Sequence, residues 1–216
     1  FELLKKVAVK DGIAYSTNLD IWAYSKTDLP DGMYGIVGDK LVRTNAFNIA
    51  EYPLDGLLGK GALGSIEFSL PDLAQIFKRS LKYVVQKTPE DTKRQALTSV
   101  LLRVDKHGDA VMVASDSYRL TISPVDVKGI NKEAIGEKGK DFLIPPKVLD
   151  LLLKDPKAPK VRMLLDDSSI TFDTGNIVLG ARLRQEKFPL IDIDTLLPKE
   201  IKGMLVFDRK TTLPLL

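Results

Sequence analysis

Along the middle of the chain, apolar and polar positions set out one order of elements twice, at a spacing of about 70 residues. The first unit opens with Ile66-Glu67-Phe68-Ser69-Leu70, whose alternation is that of a half-buried strand. Pro71 then stands where a helix can start, because its missing N–H would have no partner in a first turn. Leu73, Ile76, Phe77, Leu81, Val84 and Val85 recur at three- and four-residue steps and predict a helix to about Gln86. Lys78, Arg79 and Lys82 gather on its other face. After a polar loop, Lys87 to Arg94, come strand-like stretches at Ala96 to Val104, Ala110 to Ser115 and Arg119 to Pro124. His107-Gly108 and Ser117 mark the turns between them.

The second unit repeats that order. Asp141-Phe142-Leu143-Ile144 is the strand, and Pro145-Pro146 open a helix through Val148, Leu149 and Leu152 that Pro156 and Pro159 stop. Strands follow at Val161 to Leu165, Ser169 to Phe172 and Ile177 to Leu183, with turns at Asp166-Asp167 and Thr174-Gly175-Asn176. Two strand, helix, three-strand units make one α+β domain. The segment joining them, Asp126 to Lys140, is highly charged, has no apolar period and reads as a solvated connection. Before the first unit, Val7 to Val9, Ile13 to Thr17 and Leu19 to Ser25 have strand character, as does Gly32 to Asn48. Residues 1–65 therefore read as a partial or shortened domain, 66–200 as a complete one, and 201–216 as the start of a third.

Composition narrows the function classes. With 44% apolar and 28% charged residues, the 216-residue chain can bury a sizeable core. No apolar run approaches the roughly 20 residues of a membrane span and no signal segment opens the sequence, so the cytoplasm is the expected compartment. The absence of cysteine removes disulfides, thiolate nucleophiles and Cys-ligated zinc. Net charge is only +3, so contact with nucleic acid depends on where the cations sit.

Candidate chemistry is sparse. Gly59-Lys60-Gly61-Ala62-Leu63-Gly64 satisfies G-x-G-x-x-G, but a strand pattern follows it where a dinucleotide site needs a helix, and an interdomain linker explains the glycines better. His107, the only histidine, is a turn residue beside Gly108. No S-x-x-K arrangement offers a serine nucleophile. Asp192 and Asp194 alternate with isoleucines and share a strand face, where they are either solvated edge positions or carboxylates for a divalent ion. Trp22 is read as core or partial cover. No catalytic residue, metal site or cofactor is expected.

At this point particular residues carry a resemblance. Gln95-Ala96-Leu97-Thr98-Ser99-Val100-Leu101-Leu102, followed by Val113-Ala114-Ser115-Asp116-Ser117-Tyr118-Arg119-Leu120, resembles the middle domain of the bacterial sliding clamp, the DNA polymerase III beta subunit family. The family pattern there ends A-T-D-G-H-R-L; Asp116, Arg119 and Leu120 match it, while Ser115, Ser117 and Tyr118 depart. Phe142-Leu143-Ile144-Pro145 is similar to the family's strand into a proline-started helix, and Lys187-Phe188-Pro189 with Leu197-Pro198-Lys199 to its F-P-x-Y…L-P-K ending. Thr17-Asn18-Leu19-Asp20-Ile21 resembles the T-D-L-E motif of the first clamp domain, Tyr52-Pro53 its closing F-P, and Asp208-Arg209-Lys210 hints at the third.

The resemblance implies a DNA-clamp fold: repeated units with helices on an inner face and antiparallel sheets outside, and two protomers of three domains closing head to tail around duplex DNA. The function it implies is that of a processivity factor, which tethers a replicative polymerase and is handled by a clamp loader through short peptides. Matching positions place Leu97, Ser115, Tyr118, Arg119, Leu120 and Pro198 in the peptide groove, and Lys78, Arg79, Lys82, Lys93 and Arg94 near DNA. Each has a plainer reading. Leu97 and Leu120 are also what a core would use, Arg119 can brace Asp116, Pro198 can end a strand, and a charged helix face is ordinarily just solvated. With a shortened first domain and a stub of the third, the chain is expected not to close a ring alone. Two other readings stand beside this one: a stand-alone peptide-binding module, and a metal-dependent phosphodiester hydrolase built on Asp192 and Asp194.

Overall fold

A computed structural model of the chain describes residues 6–38, 40–45, 63–85, 96–127, 129–154 and 158–189, with residues 200, 203, 206 and 208. Strands β1 (Lys6–Lys10), β2 (Ile13–Thr17), β3 (Ile21–Lys26), β4 (Gly32–Val37) and β5 (Lys40–Thr44) come first. The first repeat unit is β6 (Gly64–Ser69), α1 (Leu70–Leu81), β7 (Val100–Val104), β8 (Ala110–Ser115) and β9 (Leu120–Val125). A four-residue helix, α2 (Lys132–Ile135), lies in the connection. The second unit is β10 (Lys140–Ile144), α3 (Pro146–Leu152), β11 (Lys160–Leu165), β12 (Ser169–Asp173) and β13 (Val178–Arg182). The doubled strand, helix, three-strand order expected from the apolar pattern is therefore present.

The two units are interlocked in a way their order along the chain does not reveal. Each gives its opening strand to the other: β6 pairs with β11, and β10 pairs with β7. One sheet runs β10-β7-β8-β9, and the other runs β5-β4-β1-β2-β3-β13-β12-β11-β6, every pairing being antiparallel. A single core lies between the sheets and the helices. It takes Ile66, Val161, Met163, Leu165, Ile170 and Phe172 from one sheet, Val100, Leu102, Met112, Phe142 and Ile144 from the other, and Leu73, Phe77, Val148, Leu149 and Leu152 from the helices. Phe77 meets Phe172 edge to face, with ring centroids 6.1 Å apart, an arrangement in which the positive edge of one ring faces the negative face of the other.

The longer sheet is continuous because β3 pairs with β13. At that seam Trp22 stands opposite Gly180, and a Cβ on residue 180 would fall 2.2 Å from the indole. The glycine leaves the space that Trp22 fills. Trp22 is accordingly buried, at 3% exposure, so it is core rather than partial cover.

Three local expectations are corrected. α1 ends at Leu81 rather than near Gln86, because Lys82 and Tyr83 donate to Arg79 and Ser80 in a tightening last turn and Val85 N–H is captured by the Leu97 carbonyl. Residues 96–98 form a 3₁₀ turn, so the strand read from Ala96 begins only at Val100. The connection between units is not simply solvated: Val127, Ile130 and Ile135 are buried in the main core, and Asn131 caps α2 by accepting from Glu133 N–H. Apolar anchors at those irregular intervals make no period among the surrounding charges. The connection also sits on the first strand, since Asn131 N–H donates to Leu63 and a Cβ on Gly64 would lie 2.8 Å from Ile130 Cα. Gly64, at φ +152°, thus serves a close backbone approach and opens a strand, not the helix that a dinucleotide fingerprint needs. No described helix is long and apolar enough to cross a membrane.

Candidate functional site

The four-stranded sheet has apolar residues on both faces. Its inner face belongs to the main core; on its outer face Leu143, Leu101, Val113 and Ile122 are successive cross-strand partners, forming a row across β10, β7, β8 and β9. Leu120, two residues before Ile122, extends that face toward the β8–β9 turn and stands opposite Ser115. Three segments close over the row. Ala96 and Leu97 come from the 3₁₀ turn, Val85 from the chain leaving α1, and Phe188 from the chain beyond β13. The result is a satellite cluster, separate from the main core, with Leu97 buried in it and Leu120 half-buried at its margin.

Ser115 to Leu120 forms the polar rim. Ser117 takes φ +77° at the expected turn, Ser115 Oγ donates to the Arg119 carbonyl at 2.9 Å and accepts from Ser117 N–H, and Tyr118 stands 91% exposed. Asp116 organises the turn by accepting from the backbone N–H groups of Tyr118 and Arg119 at 3.0 and 2.8 Å. The Arg119 guanidinium closes on the same carboxylate at 2.7 Å and lies 5.1 Å from the centre of the Tyr83 ring. The bracing read for Arg119 is thus present, and it also ties the rim to the tail of α1.

These contacts hold the Asp116 carboxyl below the usual carboxylate range, the Arg119 side chain first and its backbone N–H next. A depressed folded value means that the contribution is present at neutral pH and is lost as pH falls through that value. We expect carboxyl-carbon NMR titration to give a low midpoint for Asp116 that rises in Arg119→Gln. An unmoved midpoint would assign the effect to the backbone donors alone.

Of the residues singled out from sequence, the fold brings Leu97 and Leu120 into one cluster, sets Ser115 and Arg119 on its rim and leaves Tyr118 in solvent. Pro198, Lys93, Arg94, Asp192 and Asp194 lie outside the described residues. Lys78 and Arg79 on α1 and Lys82 just past its end are exposed, opposite buried Leu73 and Phe77, and make no ion pair among the described residues. His107 sits in the β7–β8 turn, its N–H donating to Asp105, whose carboxyl is held low by the backbone donors of Asp109 and His107 although desolvation opposes this. The described residues include no acidic or histidine group arranged to hold a metal. Sequence reading missed Val85, Leu101, Val113, Ile122, Leu143 and Tyr83. The available signal was in Ala110-Val111-Met112-Val113-Ala114, a strand with no polar face, which requires cover on both sides.

A domain in which two interlocked strand, helix, three-strand units share one core, with a second apolar patch outside, is the class of the DNA clamps. The family model described as DNA polymerase III beta subunit, central domain, matches residues 74–190, which is 117 of the 216 residues. The chain belongs to that family. Solved structures share the fold. The Helicobacter pylori beta clamp bound to a DNA ligase peptide is 18% identical with a TM-score of 0.67, over 90% of this chain and 61% of that one. The Bacillus subtilis sliding clamp gives 18% and 0.67, over 93% and 61%. The Thermotoga maritima beta subunit gives 16% and 0.67, over 91% and 60%. The chain thus spans about three fifths of the length of these structures. No curated protein matches it.

Proposed function

We propose that this chain acts as sliding clamp material: a non-catalytic processivity factor of the cytoplasm that surrounds duplex DNA and holds a replicative polymerase, and the clamp loader in turn, by short peptides. In this reading residues 66–200 are one whole clamp domain, the strands before it belong to a neighbouring domain, and the complete protein is a homodimeric ring. The observation that carries it is the division of the domain into two working surfaces. α1 buries Leu73 and Phe77 while Lys78, Arg79 and Lys82 stand exposed and unpaired among the described residues, and the apolar cluster of Leu97 and Leu120 lies on the outer face of the four-stranded sheet. Exposed lysine and arginine suit phosphate oxygens without reading bases, which permits sliding.

The test is DNA binding against salt. Fluorescence anisotropy with a labelled duplex is expected to show weak, sequence-blind binding that salt abolishes. Each phosphate contact contributes about 0.9 to the log–log salt slope, so Lys78→Ala, Arg79→Ala and Lys82→Ala together are expected to reduce it by roughly two to three. An unchanged slope and affinity would make the stripe an ordinary solvated face.

A further inference from the structure

One side of the apolar cluster opens into a cleft of about 590 Å³ at the seam between β3, β13 and the start of α3. Val85 belongs to both, packing on the cluster and lining the cleft, and Thr98 lies next to Leu97 in the same wall. The cleft's charged lining is Lys147, Arg182 and Arg184 against Asp20, three cations to one carboxylate. Two of those cations have distant acidic neighbours: Lys147 lies 3.9 Å from Asp150, and Arg184 lies 4.0 Å from Glu186. Exposed pairs at such distances neutralise little. Arg182 makes no ion pair among the described residues, and its position is fixed because its backbone N–H donates to the Asp20 carbonyl at 2.8 Å.

We propose that this seam cleft receives acidic side chains of the docked peptide that flank its apolar anchors, with Arg182 as the main counter-charge. The inference rests on the docking surface proposed above and adds to it a chemical preference: an acidic flank beside an apolar end. Charge complementarity commits the cleft to this occupant, since an uncharged or basic flank would leave the excess cations unanswered. A peptide spanning both sites crosses at Val85 and Thr98, the wall they share.

The test compares two synthetic peptides of about ten residues, each with two leucines as its apolar end, one flanked by aspartates and the other by serines. Both are titrated into the whole chain by calorimetry at low salt. The aspartate peptide is expected to bind roughly threefold or more tightly, on the scale of one or two exposed ion pairs, and the preference should fade as salt is added. In Arg182→Glu the preference should vanish or invert while the serine peptide binds as before, with thermal melting confirming the fold. An equal preference in both proteins, or none in the wild type, overturns the inference and leaves the apolar docking surface standing. Failure of both peptides to bind the wild type would remove the docking surface and this inference together.

Discussion

Replacing Gly180 with valine is expected to destabilise the chain by roughly 3 kcal/mol, the upper part of the range for overpacking a core. The new Cβ would fall inside the contact distance of the Trp22 indole, 2.2 Å from its nearest ring atom, and the ring is buried at 3% exposure. Neither side can yield cheaply. Gly180 is in a central strand between β12 and β3, and Trp22 is on the strand it would push away. For a chain of this size that loss corresponds to a fall in Tm of about 6 to 12 °C. Trp22 is the only tryptophan, so its fluorescence reports the seam directly while circular dichroism reports the whole fold. The double variant Trp22→Leu, Gly180→Val should recover part of the loss, because the two residues compete for one space. Melting unchanged in the single variant would mean that the strands separate at the seam without cost, and the nine-stranded continuity would then have no energetic content.

Leu120→Lys is expected to weaken peptide docking by roughly 2 kcal/mol or more, about thirtyfold, against a wild-type affinity near micromolar, about −8 kcal/mol. The change removes an apolar wall and sets an ammonium against the peptide's apolar end. Leu120 is half-buried at the margin of its cluster, beside a turn whose next residues toward the tip are exposed, so a lysine stem can lie on the cluster and carry its charge to water. Folding should therefore survive. Calorimetric titration with an apolar-ended peptide, run beside thermal melting, reads both quantities: lost binding in a folded variant supports the docking surface, and unchanged binding sinks it. Unfolding would return Leu120 to the core reading.

Period and punctuation made most of the elements legible. Pro71 and Pro146 start helices because a first turn needs no N–H there, and β8 and β11 fall within a residue of their expected bounds because each is a short apolar run bounded by clear turns. What was not legible depends on contacts between distant segments. Nothing near β6 or β10 says that each pairs into the other unit, since a strand's partner is set by the complementary face it meets and not by its own alternation. The end of α1 was misplaced because Val84 and Val85 continue an apolar spacing after the helical hydrogen bonds have stopped; their burial comes from the core and from the Leu97 turn. The residues proposed for the groove were chosen by motif alone. Leu97 and Leu120 carry no local sign distinguishing a satellite cluster from the main core, and only the cross-strand row of Leu143, Leu101, Val113 and Ile122 shows that they lie on the outer face.

The exchange of opening strands also has a consequence in time. β6 pairs with β11 from Ser69 with Lys160 to Gly64 with Leu165, partners separated by 91 to 101 positions along the chain. A ribosome adding about 5 to 20 residues per second leaves β6 without its partner for roughly 5 to 20 s after it is made. Throughout that interval Ile66 and Phe68 stand on an unpaired strand, α1 has only half of its core to pack on, and the first unit cannot close by itself. Completion of the domain is set by the arrival of its last strands, and β6, the first strand of the unit to be made, is the one that must be shielded longest from wrong partners.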